Sequence, residues 1–139
     1  MESWYRIRLV VNFLNLSTPL GLLIALIGAS GIRRGPDGLF ICDGYRLPVP
    51  DARAFTVGNA LLFRDAHELG DRPELLAHEA RHATQYAFCL GPVMIVLYLI
   101  CAGVSIVLSG DYASYNPFER LAGLKDGGYQ KQPLRSICR

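Results

Sequence analysis

The amino-acid sequence predicts an α+β fold, in which a small antiparallel sheet is followed by a core of three helices and preceded by an apolar anchor. Residues 36–65 contain short β-prone runs separated by turns rich in glycine and proline, which is typical of small sheets. Helical spacing of apolar residues begins near residue 73. Residues 9–31 and 87–110 are two apolar stretches without charged side chains. With 139 residues, the chain has room for one domain.

The first apolar stretch is the predicted anchor. Polar residues and Pro19 interrupt it, so its uniformly apolar part, residues 20–29, is shorter than the roughly 20 residues that cross a bilayer. Three interpretations remain open: a cleaved signal peptide, a span broken near Pro19, or an anchor lying at the membrane interface. We favour a retained membrane element, with membrane lipid as its partner. Arginines flank the stretch on both sides, namely Arg6, Arg8, Arg33 and Arg34.

The sheet is predicted from two hairpin signals. Residues 39–42 and 45–47 are β-prone runs separated by Asp43-Gly44, a dipeptide that favours a tight hairpin turn. Residues 54–63 indicate a third strand or a pair of strands, with Gly58-Asn59 as a bulge or a turn. An edge strand beside the next helix would allow an extended peptide to bind, although a purely structural sheet is the simpler interpretation.

A His-Glu-x-x-His sequence carries the chemistry of this chain. Its histidines, His78 and His82, are four residues apart and share one face of a helix, so both can bind one zinc ion. Glu79 between them is the candidate general base for a water on the metal. Asp71 as N-cap and Glu74 in the first turn indicate where this helix begins. The alternative is a surface helix with two solvated histidines and no ion.

Glu119 is the predicted third metal ligand, because we expect the chain between it and the motif to reverse direction. A glycine–proline pair at residues 91–92 ends the motif helix, and the apolar helix 93–108 then runs back beside it. Without this reversal, the carboxylate would lie about 25 Å from the histidines. Asn116 is expected to cap the third helix, which carries Glu119 in its first turn. His67 is the alternative third ligand.

The sequence His78-Glu79-x-x-His82-x-x-Gln85, followed by Glu119-x-x-Ala122, resembles the glutamate-ligand zincins, or gluzincins. It is similar to the small zincin domains of the DUF4157 type, and M48 peptidases also place an E-x-x-A-D motif after H-E-x-x-H. This resemblance implies a zincin-like helical core with zinc bound by the two histidines and Glu119, and Glu79 as general base. The chain departs from the M48 pattern at residue 123, where a glycine replaces the aspartate.

A longer similarity, from residues 15–21 through 116–119, is to small uncharacterised actinobacterial membrane-associated proteins. It implies a location at the bacterial cell membrane. We divide the chain accordingly into an N-terminal apolar membrane-associated segment (1–35), a minimal zincin-like domain (36–126) and a basic C-terminal tail (127–139).

The functional hypothesis is a membrane-associated zinc metallopeptidase-like protein, in which Glu79 and zinc-activated water act on a peptide bond of a peptide or protein substrate. A non-catalytic membrane protein with a structural metal site, and an interaction module without metal, remain alternatives. No basic groove with interleaved aromatic residues is present, so a nucleic acid partner is not expected. The cysteines are expected to be structural thiols, without a disulfide framework: Cys42, Cys89, Cys101 and Cys138.

Overall fold

A computed structural model describes residues 1–65 and 72–136 of the chain. It contains a four-stranded sheet and five helices, which confirms the α+β class. Asp71 and His67, which we considered as a helix cap and as a ligand, lie outside the described residues. The elements are α1 (Ser3–Leu14), α2 (Ser17–Gly28), β1 (Gly31–Arg34), β2 (Phe40–Asp43), β3 (Ala54–Val57), β4 (Ala60–Phe63), α3 (Pro73–Phe88), α4 (Val93–Ser109) and α5 (Pro117–Ala122).

We predicted an antiparallel sheet, but the sheet is mixed. Its strand order is β1-β2-β4-β3, in which β2 pairs with β4 in parallel and the two outer pairs are antiparallel. After β2 the chain crosses to the far edge of the sheet to form β3, and β4 then returns between β3 and β2. A parallel pair needs such a crossover, and local sequence patterns do not reveal it.

One predicted hairpin is wrong and the other is confirmed. β3 and β4 pair around the predicted turn, with Gly58 at a positive φ of 63°. Gly44 also has a positive φ, of 68°, but the run 45–47 after it forms no strand. There Tyr45 N–H donates to the Phe63 carbonyl at the end of β4, and Arg46 N–H donates to the Gly28 carbonyl at the end of α2. Residues 45–47 therefore do not fold back on β2 as the second strand of a hairpin. The antiparallel partner of β2 is instead β1, an exposed strand that we did not predict.

Helices cover both faces of the sheet. On one face Ile41, Leu61 and Phe63 pack with Leu75 and Ala83 of α3. On the other face, side chains of β2 and β4 pack with Ala25 of α2. Neighbouring strand residues point to opposite faces, which explains why every residue of β4 is buried. The motif helix is therefore held against the sheet.

Polar residues of the first apolar stretch attach α1 to this core. Asn12 is fully buried, and its side chain donates to Asn59 Oδ1 at 2.6 Å and to the Ala83 carbonyl of α3 at 2.8 Å. Arg8 is 1% exposed and donates to the carbonyl of Asp37 at 2.8 Å. The predicted anchor thus contacts the sheet and α3 directly, while the three segment boundaries that we proposed stay predictions.

The two apolar stretches form bent helix pairs. α1 and α2 meet at 74°, and α3 and α4 meet at 118°. The chain therefore turns back at the predicted place, but by less than the full reversal of the antiparallel pair that we expected. Within residues 1–65 and 72–136, no single helix is long and apolar enough to cross a membrane; only each bent pair taken together meets those criteria of length and composition.

Candidate metal centre

The motif residues lie on the buried face of α3. Pro73 begins the helix and Glu74 lies in its first turn, where an acidic side chain is favoured. The buried residues repeat with helical spacing, so the same stripe that packs on the sheet carries the motif. This stripe consists of Leu75, His78, Glu79, His82, Ala83 and Tyr86.

Glu119 reaches the motif from α5. Asn116 is the N-cap of that helix as predicted, since its side chain accepts a hydrogen bond from Phe118 N–H at 3.1 Å. Asp111 forms a turn in the preceding loop, where its carboxylate accepts from Ser114 N–H at 2.9 Å. The cap and the turn fix the direction of α5, which places Glu119 in its first turn, 3% exposed.

Three potential ligand atoms converge at this point. Glu119 Oε2 lies 3.0 Å from His78 Nε2 and 3.3 Å from His82 Nε2, and the two imidazole nitrogens are 3.1 Å apart. A tetrahedral zinc ion with bonds of about 2.1 Å separates two ligand atoms by about 3.4 Å. The observed spacing is therefore within a few tenths of an ångström of what zinc needs, and the group could hold a metal ion.

The outer hydrogen bonds of both imidazoles favour metal binding. His78 Nδ1 lies 2.8 Å from the Gly123 carbonyl, which can only accept, so Nδ1 carries the proton. His82 Nδ1 lies 2.8 Å from Gln85 Oε1, while the amide nitrogen of Gln85 donates to the Phe118 carbonyl at 2.9 Å. Both Nε2 atoms then present lone pairs to the centre, the tautomer required of metal-binding histidines.

The electrostatics of the centre favour a bound cation. Within the described residues no hydrogen bond of conventional geometry reaches the buried Glu119 Oε2, whose polar neighbours are the two Nε2 atoms at 3.0 and 3.3 Å. With both imidazoles neutral and protonated at Nδ1, three acceptors face one another. Burial opposes the charged form of His82, but contact with Glu119 outweighs it and raises the pKa of the imidazole. Burial would likewise raise the pKa of Glu119, but contact with the two imidazoles holds it below its usual range. A proton or a metal ion would relieve the repulsion.

Glu79 lies beside this group, and its carboxylate has a separate hydrogen-bond partner. Its Oε2 accepts a hydrogen bond from Thr56 Oγ1 of β3 at 2.6 Å. Burial raises the pKa of Glu79, against the lowering influence of the nearby imidazoles and of Thr56. A raised pKa brings a carboxylate closer to the range in which it can both accept and return a proton.

A cleft of about 220 Å³ gives access to Glu79. Among the described residues that line it are Arg53, Arg72, Tyr112 and Tyr129, and its lining does not include His78, His82 or Glu119. The C-terminal segment packs over His78 instead: a Cβ added to Gly127 would lie 2.6 Å from His78 Cε1. The Tyr129 ring lies 6.0 Å from the His78 ring and its hydroxyl is 2.9 Å from that of Tyr112.

Residues 49–88 match a family model described as the eCIS core domain. The match covers less than a third of the chain and is a similarity of that segment. It includes β3, β4 and the helix with the complete His-Glu-x-x-His motif, and it ends before Glu119. It is consistent with the DUF4157 resemblance of the sequence. The comparisons with curated proteins and with solved structures gave no match.

Several residues of the centre escaped sequence reasoning. Tyr98 of α4 donates its hydroxyl proton to Glu119 Oε1, and Thr56 supports Glu79. Neither has a sequence signal, because both contacts depend on how distant elements pack. Gln85 is part of the motif quoted above, but its hydrogen bond to His82 was not predicted, although the two residues are three apart on the same helix face. At residue 123, where the M48 pattern has an aspartate, the backbone carbonyl of Gly123 accepts the hydrogen bond from His78 Nδ1 instead.

Arg81, inside the motif, points away from the centre. It is exposed, and one of its guanidinium nitrogens donates to the Ala122 carbonyl and to Asp126 Oδ2, the latter at 2.8 Å. Its positive charge is therefore paired at the end of α5, away from the three potential ligand atoms, and does not oppose the binding of a metal ion there.

Proposed function

We propose that this protein is a zinc-dependent hydrolase that acts on peptide bonds. The observation that carries the proposal is the convergence of two imidazole lone pairs on a buried carboxylate oxygen without a hydrogen-bond donor, beside a second buried carboxylate. Two imidazoles and one carboxylate are a ligand set of catalytic zinc, which keeps a fourth position for water or substrate.

The roles follow from the contacts. His78 and His82 would hold the ion through Nε2, and Glu119 through Oε2, while Gly123, Gln85 and Tyr98 orient them. Bound zinc supplies a Lewis acid that lowers the pKa of coordinated water to about 7. Glu79, fixed by Thr56 at one carboxylate oxygen, would accept a proton from water as general base and would return it to the leaving amine.

The substrate class rests on the position of β3. This strand forms one edge of the sheet, and Ala54 at its start lines the same cleft as Glu79. An extended peptide can add to such an edge through main-chain hydrogen bonds. Two arginines, Arg53 and Arg72, and the carboxylates of Asp51 and Glu79 line the same cleft, so its charge alone does not select an acidic or a basic peptide.

A structural metal site is the second candidate, and one observation favours it. His78 is 1% exposed and lies beneath Gly127, and the cleft reaches Glu79 without reaching the ligand atoms. A metal closed off in this way would hold α3 and α5 together and contribute to folding without turnover.

Metal analysis of the purified protein tests both candidates. We expect about one zinc per chain, which should be lost in His78→Ala and in Glu119→Gln; zinc retained in both variants would overturn the ligand assignment. Hydrolysis of fluorescein-labelled casein then separates the two candidates.

Glu79→Gln should abolish casein hydrolysis while keeping the zinc. Glu74→Gln is the matched control, because it makes the same chemical change at an exposed position of the same helix. Zinc without hydrolysis in the wild-type protein would favour the structural site, and hydrolysis unchanged in Glu79→Gln would overturn the general-base role.

A further inference from the structure

The burial pattern of α1 is inverted relative to that of a helix in water. Its buried residues are Arg8 and Asn12, whereas large apolar side chains face outward. A water-exposed helix ordinarily turns its apolar stripe towards the core. The outward residues include Ile7 at 53%, Val10 at 55% and Leu14 at 78% exposure.

The same inversion occurs in α2 and α4. The buried residues of α2 are small or polar, namely Ser17, Thr18, Gly21, Ala25 and Gly28, and those of α4 are Met94, Ala102 and Ser105. Small residues at helix contacts and large apolar residues outside are typical of helices surrounded by lipid. The outward residues of both helices include Leu26, Ile27, Leu99, Ile100 and Val107.

The turns of the two bent helix pairs lie side by side. Asn15, between α1 and α2, donates from its side chain to the Tyr86 carbonyl near the end of α3 at 3.1 Å. A Cβ on Gly91 would lie 2.4 Å from the Asn15 carbonyl oxygen, so the second turn packs tightly on the first. The two turns therefore pack against each other.

A leucine with left-handed backbone geometry lies at the tip of each turn. Leu16 has φ 70° and is 64% exposed, and Leu90 has φ 57° and is 73% exposed. This backbone region is disfavoured for a leucine. Non-glycine residues held there are concentrated at functional sites, and here both project an apolar side chain outward.

Charged and aromatic side chains are placed as they are at a membrane interface. Residues 9–32 and 83–110 contain no charge. Exposed Arg6 lies nine residues before Asn15, about 14 Å along the helix axis, close to half of a hydrocarbon core of about 30 Å. The single tryptophan, Trp4, stacks on exposed Phe88 with ring centroids 5.6 Å apart, and tryptophan is enriched at such interfaces.

We propose that the outer faces of α1, α2 and α4 insert into one leaflet of a bilayer that contains anionic lipids, with Leu16 and Leu90 deepest. The helices of the two pairs diverge by 74° and 118°, so their apolar outer faces point in different directions. Fluid lipid can cover such faces together, whereas a second copy of the chain would need a single self-complementary patch. Arg6, with Arg33 and Arg34 after α2, lies at the level of the anionic headgroups.

Vesicle binding tests the proposal without reference to the metal. The probes are vesicles of phosphatidylcholine alone and of phosphatidylcholine with phosphatidylglycerol at about three to one. We expect binding to the mixed vesicles and a blue shift of Trp4 emission. Leu16→Asn/Leu90→Asn should weaken partitioning by at least about tenfold for each leucine. Asparagine tolerates the left-handed conformation, so this variant should fold as stably as the wild type.

Leu121→Asn is the matched control, because Leu121 is 77% exposed on α5 and lies at neither turn. It should bind vesicles like the wild type. Equal binding of the double variant, or no binding of the wild type to either vesicle, would overturn the proposal. So would a dimer that dissociates in the double variant without any vesicle binding, measured by light scattering.

A second measurement needs no variant. Phospholipids brominated on acyl-chain carbons close to the headgroup should quench Trp4 emission in the wild-type protein, because Trp4 lies at the proposed interface level and stacks on Phe88, two residues before Leu90. Emission that shifts with vesicles but is not quenched would place the turns outside the hydrocarbon and overturn the proposed depth.

Discussion

Gln85 provides a direct test of how the candidate centre is held. Its amide is the link between His82 and α5, because Oε1 lies 2.8 Å from His82 Nδ1 and Nε2 donates to the Phe118 carbonyl at 2.9 Å. Gln85→Leu keeps the volume and removes both hydrogen bonds. His82 is then free to rotate and to move its proton to Nε2, the atom that faces Glu119.

The expected magnitude follows from the two bonds. Each contributes about 0.5–1.5 kcal/mol, and the part-buried groups left unpaired add to the loss, so the free energy of unfolding should fall by about 2 kcal/mol. For a domain of this size, Tm should fall by about 6–10 °C. Loss of the outer partner of a metal-bound histidine typically lowers metal affinity by about 10–100-fold, and we expect this of zinc.

Thermal unfolding of the metal-free protein and zinc competition against a fluorescent chelator measure the two effects. Gln85→Glu keeps an acceptor for His82 and should retain zinc affinity better than Gln85→Leu. Gln130→Leu, the same change at an exposed position, should leave both quantities unchanged. Zinc affinity of Gln85→Leu within about threefold of the wild type would refute the view that this side chain orients a ligand.

Three further predictions concern other buried groups. Tyr98→Phe removes the donor to Glu119 Oε1 and should weaken zinc binding by up to about tenfold at nearly unchanged fold, measured by the same competition; tighter binding would contradict it. Asn12→Ala leaves Asn59 Oδ1 and the Ala83 carbonyl without this donor. Urea denaturation should then show a fall in the free energy of unfolding of about 2–3 kcal/mol. A fall below about 0.5 kcal/mol would show that these two hydrogen bonds are not needed for stability. Burial raises the pKa of the Cys42 thiol to about 11, so its reactive thiolate is scarce at pH 8; mass spectrometry should find it unmodified by iodoacetamide in the folded protein, and rapid labelling would contradict this.

The sequence was informative where the relevant spacing is local. The i, i+4 spacing of His78 and His82 places them on one helix face whatever the rest of the chain does. Glu119 required one non-local inference, the reversal at residues 91–92, and the 118° turn there is large enough to bring α5 back to the motif.

Non-local pairing is what the sequence could not reveal. β1 is an exposed strand with two arginines and no alternation, so nothing in its own residues indicates a strand, and its existence depends on β2 beside it. Asn12 and Arg8 were interpreted as interruptions or flanks of an apolar anchor. They are buried because hydrogen-bond partners on α3 and on the loops flanking β2 and β4 lie opposite them, which sequence periodicity does not encode.

The two proposals together restrict where a substrate would meet the site. Leu90 lies eight residues after His82, which is about 12 Å along a helix, and Tyr98 joins the centre from α4, whose outer face is apolar. If the turns insert into a leaflet, the metal centre lies close to the headgroups. If both proposals hold, a peptide substrate should be cleaved faster when it is attached to a lipid in anionic vesicles than when it is free. Equal cleavage rates for the two forms would show that membrane binding does not bring the substrate to the metal centre.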